Sequence, residues 1–314
     1  MRPLLASLAL LVCACAPSER PVRVVGSSTV YPFAVMAAER VDGRVVIEQT
    51  GSGGGHKIFC AADSRADIVL SSRARLPREA ADCDATGRSE VVELRLGSDA
   101  IVLLRAARQP DGLQALTRTQ LWRAVAAELP GPDCELRPNT ARVWSDVDAG
   151  LPATPIVVHG PPPTSGTRDA FLSLAVEAGA RKNACMRALE QADPPAFRRL
   201  AGTLREDGAW VDAGEDDSAL VPVLTGRPGL VGVVGSGVMR RTPDRLVALS
   251  VDGVPPDPAA LQSGRYPLLR PLFLYADADM NPATRAMVDA MTSEAAIGAG
   301  GYLRRAGLIA QDPR

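Results

Sequence analysis

The chain alternates short apolar runs with segments whose apolar residues recur at helical spacing. Residues 22–25, 45–49 and 68–70 read as strands, while 32–40 and the segment opening at His56 read as the helices between them. The alternation continues through strand-like runs at 91–94, 100–104, 156–159 and 230–234, with helical stretches at 119–128, 168–177, 184–190 and 218–224. Strands and helices alternating in this way build βαβ units around a parallel sheet, so the expected class is α/β. No repeat at the roughly 20–50-residue period of a solenoid is present. The Pro/Gly-rich stretches 129–132 and 160–163 are short and flanked by patterned sequence, and they read as loops inside a domain.

The first fifteen residues break this pattern. Arg2 is followed by an apolar stretch from Leu4 to Val12 and a small-residue run ending at Cys15, the order of a bacterial signal peptide. Val12-Cys13-Ala14-Cys15 resembles a lipobox, which makes Cys15 the expected acylated first residue of a mature lipoprotein. The apolar stretch is too short to span a bilayer. Export to an oxidising compartment lets the other four cysteines, Cys60, Cys83, Cys134 and Cys185, form disulfides. Of three pairings, Cys60–Cys83 with Cys134–Cys185 is expected, because each bridge then closes a local loop within one domain.

Composition narrows the chemistry. A chain of 314 residues is long enough for two domains of ordinary size, and 46% hydrophobic with 23% charged residues is a globular composition. The net charge of −1 gives no basic surplus for nucleic acid, so any anion site is local and built of a few donors. With two histidines, His56 and His159, and no Cys-x-x-Cys pair, no metal or other cofactor is expected. Trp122, Trp144 and Trp210 are scattered and read as packing residues rather than a sugar-stacking cleft.

Four Gly/Ser/Thr-rich turns each follow a predicted strand, and three of them open a helix. They are Gly26-Ser27-Ser28-Thr29-Val30, Gly51-Ser52-Gly53-Gly54-Gly55, Ser71-Ser72-Arg73 and Thr164-Ser165-Gly166-Thr167-Arg168. A helix N-terminus presents unpaired N–H groups and the positive end of the helix dipole, and glycine lets an anion approach the backbone. At the carboxyl ends of parallel strands such turns converge in the ligand crevice. None of the four completes a phosphate-binding Walker motif or a dinucleotide fingerprint. There is no Gly-x-Ser-x-Gly elbow, and neither His159 nor His56 is an evident base for Ser165 or Ser72, so no enzyme is expected.

Segments 26–33, 51–60, 66–73 and 160–171 resemble, in order and spacing, the signature loops of the phosphate-specific ABC-transporter binding-protein family. The resemblance continues through Arg205-Glu206-Asp207-Gly208-Ala209 and Ser250-Val251-Asp252-Gly253-Val254 to Gly301-Tyr302-Leu303, nearly the whole mature chain. It implies a two-lobed, type II periplasmic-binding-protein fold, each lobe a mixed sheet flanked by helices, with ligand in the interlobe cleft. The expected layout is a leader over 1–15, lobe one from 21–104 and 231–314, and lobe two from 105–230, with crossings near Leu104 and Val231. By the same resemblance, inorganic phosphate is held by Thr29, the Val30 N–H, Ser52, Ser72, Arg73, Ser165, Gly166 and Thr167. The implied protein is a periplasmic, lipid-anchored monomer that serves an ABC permease and ATPase complex.

The chain departs from the family pattern twice. Ser72 stands where the better-known members carry an Asp that accepts the proton of hydrogen phosphate, and Pro161 stands where they carry an Arg. Arg73 and Arg168 are the expected replacements for that cation, since a guanidinium binds anions bidentately. No replacement acceptor emerges: Asp67 reads as the end of a strand and Asp169 as part of a first helical turn. The alternative ligand is therefore another oxyanion, a phosphonate or a larger molecule, and the alternative role is a sensor.

Overall fold

The computed structural model describes residues 20–109, 112–163, 165–214, 217–227 and 229–309. The predicted leader, Cys15 and Thr164 lie outside them. Four strands open the fold: β1 (Val22–Gly26), β2 (Val45–Gln49), β3 (Ile68–Ser71) and the 16-residue β4 (Val91–Ala106). Short strands follow: β5 (Ala115–Leu116), β6 (Glu128–Pro130), β7 (Leu136–Pro138), β8 (Val158–Gly160) and β9 (Trp210–Asp212). The last are β10 (Val231–Gly235), β11 (Leu246–Ala248), β12 (Ser250–Val251) and β13 (Leu269–Asp277).

Nine of these strands join in one sheet, ordered β2-β1-β3-β13-β4-β10-β8-β9, with β11 also on β4. The three opening strands are mutually parallel, as their alternation with helices demands. Strand β13 enters antiparallel between β3 and β4. The expected strands 91–94 and 100–104 are one continuous element. Its first part pairs with β13, and its second with β10 and β11. At the bulge opposite Leu272 and Phe273, Gly97 adopts φ 150°, and a Cβ there would lie 2.6 Å from the carbonyl of Ile309, which forms an isolated bridge with Ser98.

Period-two alternation explains how the first half is packed. Val24, Ile68, Leu70, Leu272 and Leu274 face one core with the helices Tyr31–Ala38 and Pro282–Thr292. Val25, Val69, Phe273 and Tyr275 face the other, with Phe59 and the Cys60–Cys83 bridge. A third core runs from Ala100–Leu104 through Trp122, Trp144, Phe171 and Phe197 to Val231, Val234, Leu246 and Leu268. Strand β10 pairs with β8 and the far half of β4, and buried residues from Val231 to Leu268 pack in this third core.

The helix 166–177 is α-helical over Gly166–Phe171 and widens to i→i+5 bonding over Leu172–Glu177. The helix expected to open at His56 begins five residues earlier, inside the glycine run, as Gly51–Phe59. Among the described residues no helix is long and apolar enough to cross a membrane. Both expected disulfides are present, Cys60–Cys83 and Cys134–Cys185, with sequence separations of 23 and 51. Loop-closure entropy assigns about 3 kcal/mol of stability to the first and about 4 kcal/mol to the second. Denaturant unfolding of Cys60→Ser/Cys83→Ser and Cys134→Ser/Cys185→Ser double variants is expected to show losses of that order, the larger for the second pair.

Candidate functional site

The parallel order β2-β1-β3 brings the ends of β1 and β3 together, and the turns that follow them share one cleft. Gly26 makes this approach feasible. It has φ 133°, and a Cβ on it would meet the Leu70 carbonyl at 2.1 Å, while one on Gly55 would come within 2.7 Å of the Gly26 Cα. The helix Gly51–Phe59 therefore packs backbone to backbone on the end of β1, which sets Ser52 beside Ser72. Their hydroxyl oxygens are 3.3 Å apart, and the Ser72 N–H donates to Ser52 Oγ at 3.1 Å.

From the other half of the molecule, the helix Gly166–Phe171 points its N-terminus at the first turn. Ser165 caps it, its hydroxyl accepting from the Thr167 N–H at 3.3 Å. Thr29 Oγ1 donates to the Gly166 carbonyl at 3.4 Å. A Cβ on Gly166 would lie 2.4 Å from Ser28 Oγ and 2.7 Å from the Thr29 N, so only glycine permits this contact. On one side of it, a cavity of about 650 Å³ is lined by Ser28, Thr29, Asp99, Ser165, Gly166 and Thr167, among others. On the other, a cavity of about 450 Å³ is lined by Ser28, Thr29, Ser52, Ser72, Arg73, Asp169 and Arg270, among others.

The expected residues thus divide. Thr29, Ser52, Ser72, Arg73, Ser165, Gly166 and Thr167 all line this cleft. Val30 does not present its N–H there: that group donates to the Ser27 carbonyl at 3.2 Å, and the side chain is fully buried. Arg168 is not among the residues lining either cavity. It pairs with Asp212 at 2.8 Å, donates to the Pro161 carbonyl at 3.0 Å and lies over the Trp210 ring at 4.6 Å. Arg73 lies at the cleft but is clasped by Glu79 through contacts of 2.6 and 2.8 Å.

Three residues lining the cavities were missed. Ser28 lines both cavities and was passed over in favour of its neighbour Thr29. Asp99 and Arg270 are paired at 3.2 Å on β4 and β13. A signal for both was present: each is a charge at the edge of an apolar run, Asp99 before Ala100-Ile101-Val102-Leu103-Leu104 and Arg270 between Leu268-Leu269 and Pro271-Leu272. Burial pushes the Arg270 guanidinium below its ordinary value, against the pull of Asp99 and Asp169.

His56, a candidate base in the catalytic alternative, is not among the residues lining either cavity. His56 is 1% exposed, packs edge-on to Tyr275 at 4.8 Å and has both ring nitrogens buried without a hydrogen-bond partner. Burial pushes its pKa down to about 4, opposed by Glu79 at 4.0 Å. Among the described residues no group of His, Cys, Asp or Glu is arranged to hold a metal ion.

A PBP superfamily domain matches residues 14–295. Protein SphX of Synechocystis is 30% identical over 303 residues, covering 91% of this chain and 78% of that protein. The phosphate-binding protein PstS of Bacillus subtilis is 22% identical over 275 residues, covering 86% of this chain and 74% of its own. A possible phosphate binding protein from Planctomyces limnophilus superposes with a TM-score of 0.67 at 25% identity, with 93% of each chain covered.

The buried His56 has a consequence for stability. Its folded pKa lies below the unfolded value of about 6.5, so the unfolded chain takes up the proton first as pH falls. Its contribution is complete above about pH 6.5, is lost as pH falls towards about 4, and then levels off. The unfolding free energy is expected to decline across that window with a slope approaching about 1.4 kcal/mol per pH unit from this group. Urea titrations between these limits check it, and His56→Gln should remove that part of the slope.

Proposed function

We propose that this chain, which belongs to the PBP superfamily, captures inorganic phosphate in the cleft and delivers it to an ABC-type importer. The observation that carries the reading is the convergence of uncharged donors. Ser28, Thr29, Ser52, Ser72 and Ser165 come from four separate turns and gather around one contact between the two halves of the molecule. Hydroxyl and backbone donors bind a compact tetrahedral anion without bringing a surplus of positive charge, consistent with a net charge of −1. The phosphate-binding protein of Bacillus subtilis and its relatives among solved structures support the choice of ligand.

Capture and transfer require no covalent chemistry, and no reaction is assigned to the cleft. The working protein is a monomer of the periplasm, without cofactor, held to the membrane by a lipid on Cys15 and engaging a permease and ATPase complex. The turns bearing Thr29, Ser52 and Ser72 belong to one half and Ser165–Thr167 to the other, so a ligand touching both favours the closed arrangement.

Calorimetric titration of a fragment beginning at Ala16, stripped of co-purifying anion, is expected to show micromolar or tighter phosphate binding. Thr29→Ala and Ser165→Ala should each weaken it by about 1–3 kcal/mol through a lost hydrogen bond. Arg168→Gln should leave the affinity within about twofold, because that guanidinium is committed to Asp212 and Trp210. Unchanged affinity in both hydroxyl variants overturns the site. Binding of a phosphonate or another oxyanion in preference to phosphate overturns the ligand.

A further inference from the structure

The helix Tyr31–Ala38 reads Tyr31-Pro32-Phe33-Ala34-Val35-Met36-Ala37-Ala38, eight residues with no charged side chain and a single hydroxyl. A helix at the surface of a globular protein turns a polar face outward, and one that is apolar all round is buried. This helix does neither. Phe33, Ala34 and Ala37 are buried in the core beneath it, but Tyr31, Val35 and Met36 are only half-buried and Pro32 is exposed. The helix Pro282–Thr292, packed beside it on the same core, follows the rule: Met287, Val288 and Met291 face inward, while Arg285 and Asp289 are exposed. The outer face of the first helix therefore presents apolar surface that the fold itself does not cover.

Part of that face opens on the cleft. Tyr31, Phe33 and Met36 line the cavity of about 650 Å³, and so do Ser28, Thr29, Ser165 and Thr167. One cavity thus combines an apolar wall with hydroxyls from both halves of the molecule. The turn bearing Ser28 and Thr29 runs straight into the helix, so a single stretch of backbone fixes these two donors relative to the apolar side chains. Asp99, the acidic side chain among the described lining residues, is paired with Arg270 at 3.2 Å. A phosphate ion fills a small part of this volume and leaves the apolar wall facing water. Cavities of roughly 300–1,000 Å³ that set a few polar groups in apolar walls are of the size that encloses an organic ligand.

Resting on the phosphate-binding reading, we propose that this cavity also accepts a phosphoryl group bearing one apolar substituent, as in a phosphonate or a phosphate monoester. The phosphoryl oxygens meet the hydroxyls of Ser28, Thr29, Ser165 and Thr167, and the substituent lies on Tyr31, Phe33 and Met36. The two contacts use different chemistry. Hydroxyls hold the anion in either ligand, while the wall gains only from apolar area that the ligand brings, at about 25 cal/mol per Å² removed from water. A polar substituent of the same size gains nothing there, because its own hydrogen bonds to water are lost against the wall.

The test is calorimetric titration of the wild type, Met36→Gln and Tyr31→Ala with phosphate, phenylphosphonate, phenyl phosphate and glycerol 2-phosphate at neutral pH. Circular dichroism reports the fold of each variant. The wild type is expected to bind the phenyl compounds at least about tenfold more tightly than glycerol 2-phosphate, whose substituent is of similar size but polar. Met36→Gln and Tyr31→Ala should each weaken the phenyl compounds by about three- to tenfold and leave phosphate within about twofold. The ligand series on the wild type carries the test by itself if a variant does not fold. Binding of both phenyl compounds supports recognition of the shared phosphoryl group, and binding of one of them names the ester or the phosphonate as the class. A wild type that binds phosphate but neither phenyl compound, or that shows no preference over glycerol 2-phosphate, overturns the proposal, leaves the function standing and assigns the apolar face to a protein partner. Phenyl affinity unchanged in both folded variants overturns the wall. A wild type that binds none of the four overturns the functional reading beneath the proposal. Tighter binding of a phenyl compound than of phosphate upholds the wall and moves the assigned ligand to the substituted class.

Discussion

The antiparallel pairing of β4 with β13 is the constraint on which the rest of the molecule depends. These strands are the outward and return passages of the chain between its cores, and nine residue pairs fix their register from Leu269–Ala100 to Asp277–Val91. A slip by one residue would exchange the two faces of β13, burying Phe273 and Tyr275 where Leu272 and Leu274 now pack. The same register sets Arg270 opposite Asp99. The geometry that holds the halves together is therefore also the geometry that places a charged pair under the cleft.

Around that axis, the cleft is assembled by close backbone approach more than by long side chains. Gly26 against Leu70, Gly55 against Gly26 and Gly166 against Thr29 each leave no room for a Cβ. With the backbones this near, short hydroxyls such as Ser52 and Ser72 reach one another and the centre of the cleft. Longer polar side chains are held at the periphery: Arg73 by Glu79, Arg168 by Asp212 and Trp210.

Local signals in the sequence were sufficient for much of this. The period-two runs located β1, β2 and β3 within a residue, and the Ser/Thr/Gly turns located seven residues that line the cleft. The resemblance to phosphate-binding proteins carried the two-lobed fold. What escaped was set by long-range pairing. Nothing local to residues 231–268 says that β10 will join β8 and so keep this segment in the third core. Likewise Arg168 sits in the right turn by sequence, but Asp212, 44 positions away, takes its guanidinium. Arg270 lies 104 positions from Gly166 and far from every motif, so only the folded sheet brings them together.

A protein that carries a solute must also let it go, and the distribution of donors bears on this. Under the proposed reading, a bound anion is held by Thr29, Ser52 and Ser72 from one half and by Ser165 and Thr167 from the other. No element contributes enough hydrogen bonds to retain the ligand alone, since each is worth about 0.5–1.5 kcal/mol net, or 1.5–3 where charge is involved. Separation of the halves removes the contribution of Ser165 and Thr167 together, and it also parts Arg270 from the Gly166 carbonyl. Affinity then follows the closure of the cleft, which is the property that lets binding and release be governed by one motion.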